Sequence, residues 1–156
     1  MKARSIEGID PGVALSEAAA GVLGTRLAEL RSFMPAARDP ARVSRLHDMR
    51  IAAKRVRYVL ELIGEAAIGP AAERLTALVR ELQEVLGDVH DCDELLPRLR
   101  AVDAEGVDVL IAHVELRRAE RFARFRVVWH DVDEEVATSC SHCLAVEPIA
   151  SVPGRR

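Results

Sequence analysis

Four residues with basic side chains recur at intervals of three or four in the first half of the chain. On a helix that turns about 100° per residue they share an arc of about 80°. The hydroxyl of Tyr58 falls beside this arc, and the only acid among residues 41–60, Asp48, falls outside it. Apolar residues from Met49 to Ile63 gather on the opposite side. The basic residues are His47, Arg50, Lys54 and Arg57.

This spacing favours the binding of a linear anion that carries phosphate groups. Like charges at helical spacing repel each other by a few tenths of a kcal/mol per pair, so an unbalanced basic face is explained if a ligand supplies the missing charge. Guanidinium groups match phosphate oxygens bidentately. A protonated His47 can donate hydrogen bonds from both ring nitrogens. The alternative is a solvated charged face without a ligand.

A second basic set follows near the end of the chain, again as a histidine and three arginines within an arc of about 80°. If its helix packs beside the first, the two sets would line one positively charged groove. The alternative is that Glu115 and Glu120 pair with these arginines and neutralise them. The second set is His113, Arg117, Arg121 and Arg124.

The elements that carry these residues are predicted to be helices. The chain has 156 residues, few aromatics and abundant Ala, Leu, Arg and Glu, which favour helices. Short connections between long amphipathic segments predict an all-α, antiparallel four-helix bundle. We expect Gly64 and Gly87 to end helices and Pro97 to kink one. The predicted helices cover residues 13–34, 41–63, 69 or 70 to 86, 88–101 and 107–137.

Composition limits the remaining possibilities. A formal net charge of −3 means that anion binding must come from local arrangement rather than bulk charge. No signal peptide or membrane span is expected, and three cysteines indicate no disulfide framework, so we expect a cytoplasmic protein. The domain prediction is a flexible lead over 1–12, a helical bundle over 13–137 and a disordered tail over 138–156.

Two segments resemble signature motifs of the CHAD family, the conserved-histidine alpha-helical domain. Residues 46–58, LHDMRIAAKRVRY, are similar to the family's V-H-x-x-R-V-x-x-[RK]-[RK]-x-R-[YS]. Residues 82–93, LQEVLGDVHDCD, are similar to its later L-Q-x-x-L-G-x-x-R-D-x-D. In the first motif, Lys54 stands where the family commonly has Arg. In the second motif, His90 stands where the family usually has Arg, so His90 is not counted as a contact.

The resemblance implies a helical bundle whose basic residues bind inorganic polyphosphate, in some members at polyphosphate granules. It adds Arg55 to the contacts, beside His47, Arg50, Lys54, Arg57 and Tyr58; the weaker second set is His113, Arg117, Arg121 and Arg124. The family's domain usually has two similar four-helix halves, whereas this chain has one signature helix. It is thus expected to be a half-length member, and we expect two chains to pair as a homodimer whose twofold axis replaces the family's pseudo-twofold.

Other functions remain open from the sequence. No phosphate loop, nucleophile elbow or HExxH motif is present, so we expect binding without catalysis, and neither a cofactor nor a metal. One alternative is a phosphohydrolase or accessory domain in which His47 acts in catalysis on polyphosphate or triphosphate. Another is a bundle that binds nucleic acid or protein. The acids from Asp88 to Glu94 are interpreted as stabilising a helix start or as partners for neighbouring arginines.

Overall fold

The computed structural model describes residues 3–4, 6 and 12–140, and these form helices joined by turns, without strands. Four long helices pack into a bundle, which confirms the predicted fold class. Most of the lead predicted over 1–12 and of the tail predicted over 138–156 lies outside the described residues. The helices are α1 (Leu15–Arg31), α2 (Met34–Ala37), α3 (Val43–Ile68), α4 (Ala71–Arg100) and α5 (Val107–Ser139).

The long helices pack mainly against the long helices that precede and follow them in the chain. α3 packs against both α1 and α4, and α5 packs mainly against α4. The turn between α3 and α4 is short because Gly69 adopts a positive φ of 59° and Pro70 directly precedes the first turn of α4. Because this turn reverses the chain, α3 and α4 are antiparallel neighbours along most of their length.

Two helices are longer than expected. α3 continues through Gly64 to Ile68, and α4 continues through Gly87 to Arg100, so the separate helix predicted over 88–101 does not exist. A glycine lowers helix stability by only about 1 kcal/mol. Leu86 and Val89 are buried on either side of Gly87, and their packing outweighs that loss. Pro97 is accommodated in the last turns of the same helix.

The core is mainly aliphatic, with Phe125 and Trp129 of α5 among its buried residues, and one face of α3 packs into it. Met49, Ala53 and Val56 are fully buried, as the helical periodicity predicted. A smaller separate cluster joins Cys92 and Leu96 of α4 to Val114 of α5. No helix in the described part of the chain has an apolar stretch long enough to cross a lipid bilayer.

Candidate functional site

The basic residues of α3 lie on the side of the helix that meets α4. His47, Arg50 and Arg57 are half-buried, while Lys54 is exposed. Since the opposite side of α3 is fixed in the core, the rotation of the helix cannot change without unpacking it. We call these four residues the α3 stripe.

The neighbouring wall of the stripe comes from α4. The imidazole of His90 packs against that of His47, with ring centroids 4.6 Å apart and an interplanar angle of 44°. A Cβ atom at Gly87 would lie 3.8 Å from Arg50 Nε, so the α4 backbone passes close to this guanidinium group. α4 therefore forms one side of a seam whose other side is the α3 stripe.

Several polar atoms in this seam lack a hydrogen-bond partner in the protein. Among the described residues, the buried side-chain atoms without a hydrogen-bond partner are His47 Nδ1, Arg50 Nε, Arg57 Nε and Gln83 Oε1. Gln83 lies about one turn before Gly87 on α4, so it belongs to the same seam. Buried polar groups are normally paired, and an arginine Nε can only donate. The Nε atoms of Arg50 and Arg57 are thus donors that suit an anionic acceptor, whereas Gln83 Oε1 is itself an acceptor.

Charge at the far end of the stripe is only partly balanced. Glu61 Oε1 lies 3.6 Å from Arg57 Nε and 2.9 Å from an Nη atom of Arg80 on α4. One carboxylate is therefore shared by two guanidinium groups, and the trio keeps a net positive charge. Sequence reasoning missed Arg80, because only the α3–α4 packing brings it to the stripe.

Tyr58 interacts with the cations through its ring. Its centroid lies 5.0 Å from Arg57 Cζ and 5.7 Å from Lys54 Nζ, both within range of a cation–π attraction. Tyr58 is 44% exposed, so the attraction is modest. The side chains of Arg57 and Lys54 thus both contact the Tyr58 ring on the outer surface of α3.

Arg55 belongs to a different face of the helix. It lies about 140° from Arg50 around α3 and forms an ion pair of 2.8 Å with Glu29 of α1. Glu29 is 3% exposed and also accepts a hydrogen bond from Arg26. The contact role that the family resemblance implied for Arg55 is therefore not supported: Arg55 joins α3 to α1.

α4 separates the second basic set from the α3 stripe, because α5 packs mainly against α4. Arg121 Nε pairs with Asp88 of α4 at 3.1 Å, and Arg124 pairs with Glu81 of the same helix. His113 and Arg117 are exposed on α5. Pairing with acids was the alternative interpretation, yet the acids come from α4 rather than from Glu115 and Glu120.

The acidic run lies inside α4 rather than at a helix start, and two of its acids, Asp88 and Asp93, pair with arginines of α5. Asp93, whose side chain is 7% exposed, accepts a hydrogen bond from Arg118 Nε, and another nitrogen of Arg118 donates to the Pro40 carbonyl at 2.8 Å. Burial raises the pKa of the nearby Cys92 thiol, so it stays protonated at neutral pH. Within the described residues, no group of three or more metal-ligating side chains is brought together.

Comparison with known proteins agrees with the motifs. A family model described as "CHAD domain" matches residues 3–100, which include all of α1, α2, α3 and α4. Neither the curated proteins nor the solved structures contain a match to the chain. The matched part of the chain includes the whole α3 stripe and its α4 wall.

Proposed function

This chain belongs to the CHAD domain family, and we propose that it binds inorganic polyphosphate, or a similar phosphate-rich polyanion, along the α3 stripe. The observation that carries the proposal is the row of buried nitrogens on His47, Arg50 and Arg57 that have no hydrogen-bond partner in the protein. Phosphate oxygens accept hydrogen bonds from such donors and supply the missing negative charge. We further propose that binding occurs without catalysis, in the cytoplasm and at polyphosphate granules.

The dimensions of the stripe suit a linear ligand. His47 and Arg57 are separated by ten residues, or about 15 Å along a helix. Lys54 lies between them and is exposed, so it can contact a polyphosphate chain that is bound along the seam. Arg80 extends the basic surface onto α4, which adds it to the proposed contacts.

Substitution of single arginines tests the proposal. Arg50→Ala and Arg57→Ala should each lower the affinity for polyphosphate of defined length about tenfold, since each removes a charge-assisted hydrogen bond. Isothermal titration calorimetry would measure this. Arg98→Ala is the matched control, because Arg98 pairs with Glu94 on its own helix at 3.6 Å, as Arg57 does with Glu61. An equal loss in Arg98→Ala would contradict a specific site.

Salt dependence provides a second measure of the same contacts. Each phosphate contact releases counterions, so the affinity for polyphosphate should fall as the salt concentration rises. A plot of log K against log salt concentration should be less steep for Arg57→Ala, with the magnitude of its negative slope smaller by about one. Arg121→Ala should change the slope less, because Arg121 is already paired with Asp88. Competition with RNA at matched ionic strength separates polyphosphate binding from nucleic-acid binding.

Hydrolysis distinguishes binding from catalysis. Incubation with polyphosphate and Mg²⁺ or Mn²⁺ should release no phosphate. Release that is abolished by His47→Ala would show that the stripe is an active site and would overturn the binding-only proposal.

A further inference from the structure

α5 has an apolar face that the bundle leaves uncovered. Val109 is 73% exposed, Leu116 is 61% exposed and Val127 is 50% exposed, with exposed alanines between them. Buried residues such as Val114 and Phe125 lie about half a turn away around the helix. α5 is therefore apolar on two opposite faces. We call the exposed one the outer seam: Val109, Ala112, Leu116, Ala119, Ala123 and Val127.

The spacing within the outer seam is typical of a helix that packs against another helix. From Val109 to Ala123 the residues recur at alternating intervals of three and four, as in the apolar positions of a coiled coil. The whole seam extends about 27 Å along α5. Scattered exposed apolar residues are ordinary on a monomer, whereas a continuous seam with this period indicates a partner.

We propose that the outer seams of two copies of this chain pack antiparallel and form a homodimer. In a register that places Leu116 opposite Ala119 of the second copy, the largest side chain of the seam faces a small one. The same register places Ala112 opposite Ala123 of the second copy. The small residues let the two helices approach closely along the seam.

Charges along both edges of the seam complement each other in this register. On one edge Asp108 lies within one residue of the level of Arg126 of the second copy. On the other edge His113, when protonated, lies within two residues of the level of Glu120 of the second copy. The twofold axis repeats each pair. A parallel arrangement would instead bring Glu115 beside Glu120 of the second copy, which is repulsive, and Asp108 beside His113 rather than beside the always-charged Arg126. Charge complementarity therefore selects a second copy in the antiparallel direction.

This interface gives the homodimer expected from the sequence a specific face. It uses α5 alone and leaves the α3 stripe open, so it does not depend on polyphosphate binding. Its test uses the full chain without polyphosphate, and its failure would leave the proposed function untouched.

Light scattering coupled to size exclusion, over a wide range of protein concentration, measures the oligomer directly. Wild-type protein should be dimeric. Leu116→Asp and Ala119→Glu should each make it monomeric, with unchanged helicity by circular dichroism because both positions are exposed. Leu62→Asp is the control: Leu62 is an even more exposed leucine, at 82%, but lies on α3, and its variant should remain dimeric.

A charge swap tests the register. Arg126→Asp should weaken the dimer by facing Asp108 of the second copy, and the double variant Asp108→Arg with Arg126→Asp should restore it. A monomeric wild type would overturn the proposal, as would dissociation by Leu62→Asp to the same extent as Leu116→Asp. Failure of the double variant to recover the dimer would overturn the antiparallel register.

Discussion

Two arginines two positions apart on α3 have unlike surroundings. Arg55 and Arg57 point about 160° apart around the helix. Arg55 pairs with buried Glu29, whereas Arg57 shares the half-exposed Glu61 with Arg80. The same side chain therefore stabilises the fold at one position and presents charge at the other.

Alanine at each position should separate these effects. Arg55→Ala leaves Glu29 with Arg26 alone and should lower the free energy of unfolding by about 1–2 kcal/mol, less than for a fully buried pair because Arg55 is partly exposed. Its affinity for polyphosphate should be unchanged. Arg57→Ala should weaken binding and alter stability little. Urea unfolding measures the stability of both variants, and calorimetry measures their affinity for polyphosphate. A loss of affinity in a folded Arg55→Ala variant would show that Arg55 contacts the ligand.

Among the helices, α3 and α4 show how packing overrides a local signal. Both contain an internal glycine, Gly64 in α3 and Gly87 in α4, but the two glycines meet different neighbours. A Cβ at Gly64 would lie 3.1 Å from Ala72 Cβ, where the two helices approach closely. A Cβ at Gly87 would meet only Arg50 Nε, at 3.8 Å, which is an ordinary contact.

Alanine should consequently have opposite effects at the two glycines. Gly87→Ala should raise the free energy of unfolding by up to about 1 kcal/mol, because alanine favours the helix and restricts the unfolded chain. Gly64→Ala should lower it, because the added methyl group forces α3 and α4 apart. Thermal and urea unfolding report both changes. A destabilised Gly87→Ala would mean that the seam tolerates no side chain beside Arg50.

Across the whole molecule, Arg118 connects three parts of the chain. It lies on α5, pairs with the nearly buried Asp93 of α4, and donates to the carbonyl of Pro40 just before α3. Sequence periodicity placed Arg118 outside the second basic set, so its role was not foreseen. The contact ties the beginning of α3 to the α4–α5 pair.

Removal of Arg118 should loosen the assembly of the helices. Arg118→Ala leaves a carboxylate that is 7% exposed without its partner and should lower the free energy of unfolding by about 2–3 kcal/mol. Arg100→Ala removes a more exposed pair with Glu115 on the same two helices and should lower it by less than about 1 kcal/mol. Equal effects on urea unfolding would argue against a special role for Arg118.

The sequence by itself determined the helical class, the family and the face of α3 that carries the basic residues. These follow from short-range rules: two motifs in order, and a rotation of about 100° per residue that separates Met49 and Val56 from His47 and Arg50. The same periodicity also marked the second basic set on α5.

Only the tertiary structure decided which charges are available. Arg121 and Arg124 are paired with acids of α4, Arg55 with an acid of α1, and Arg80 is brought to the stripe from another helix. Gly87 does not end its helix, because buried neighbours far apart in sequence hold it there. Such pairings depend on which helices become neighbours and on how far the neighbours are shifted along their axes. The periodicity within one helix contains no information about either.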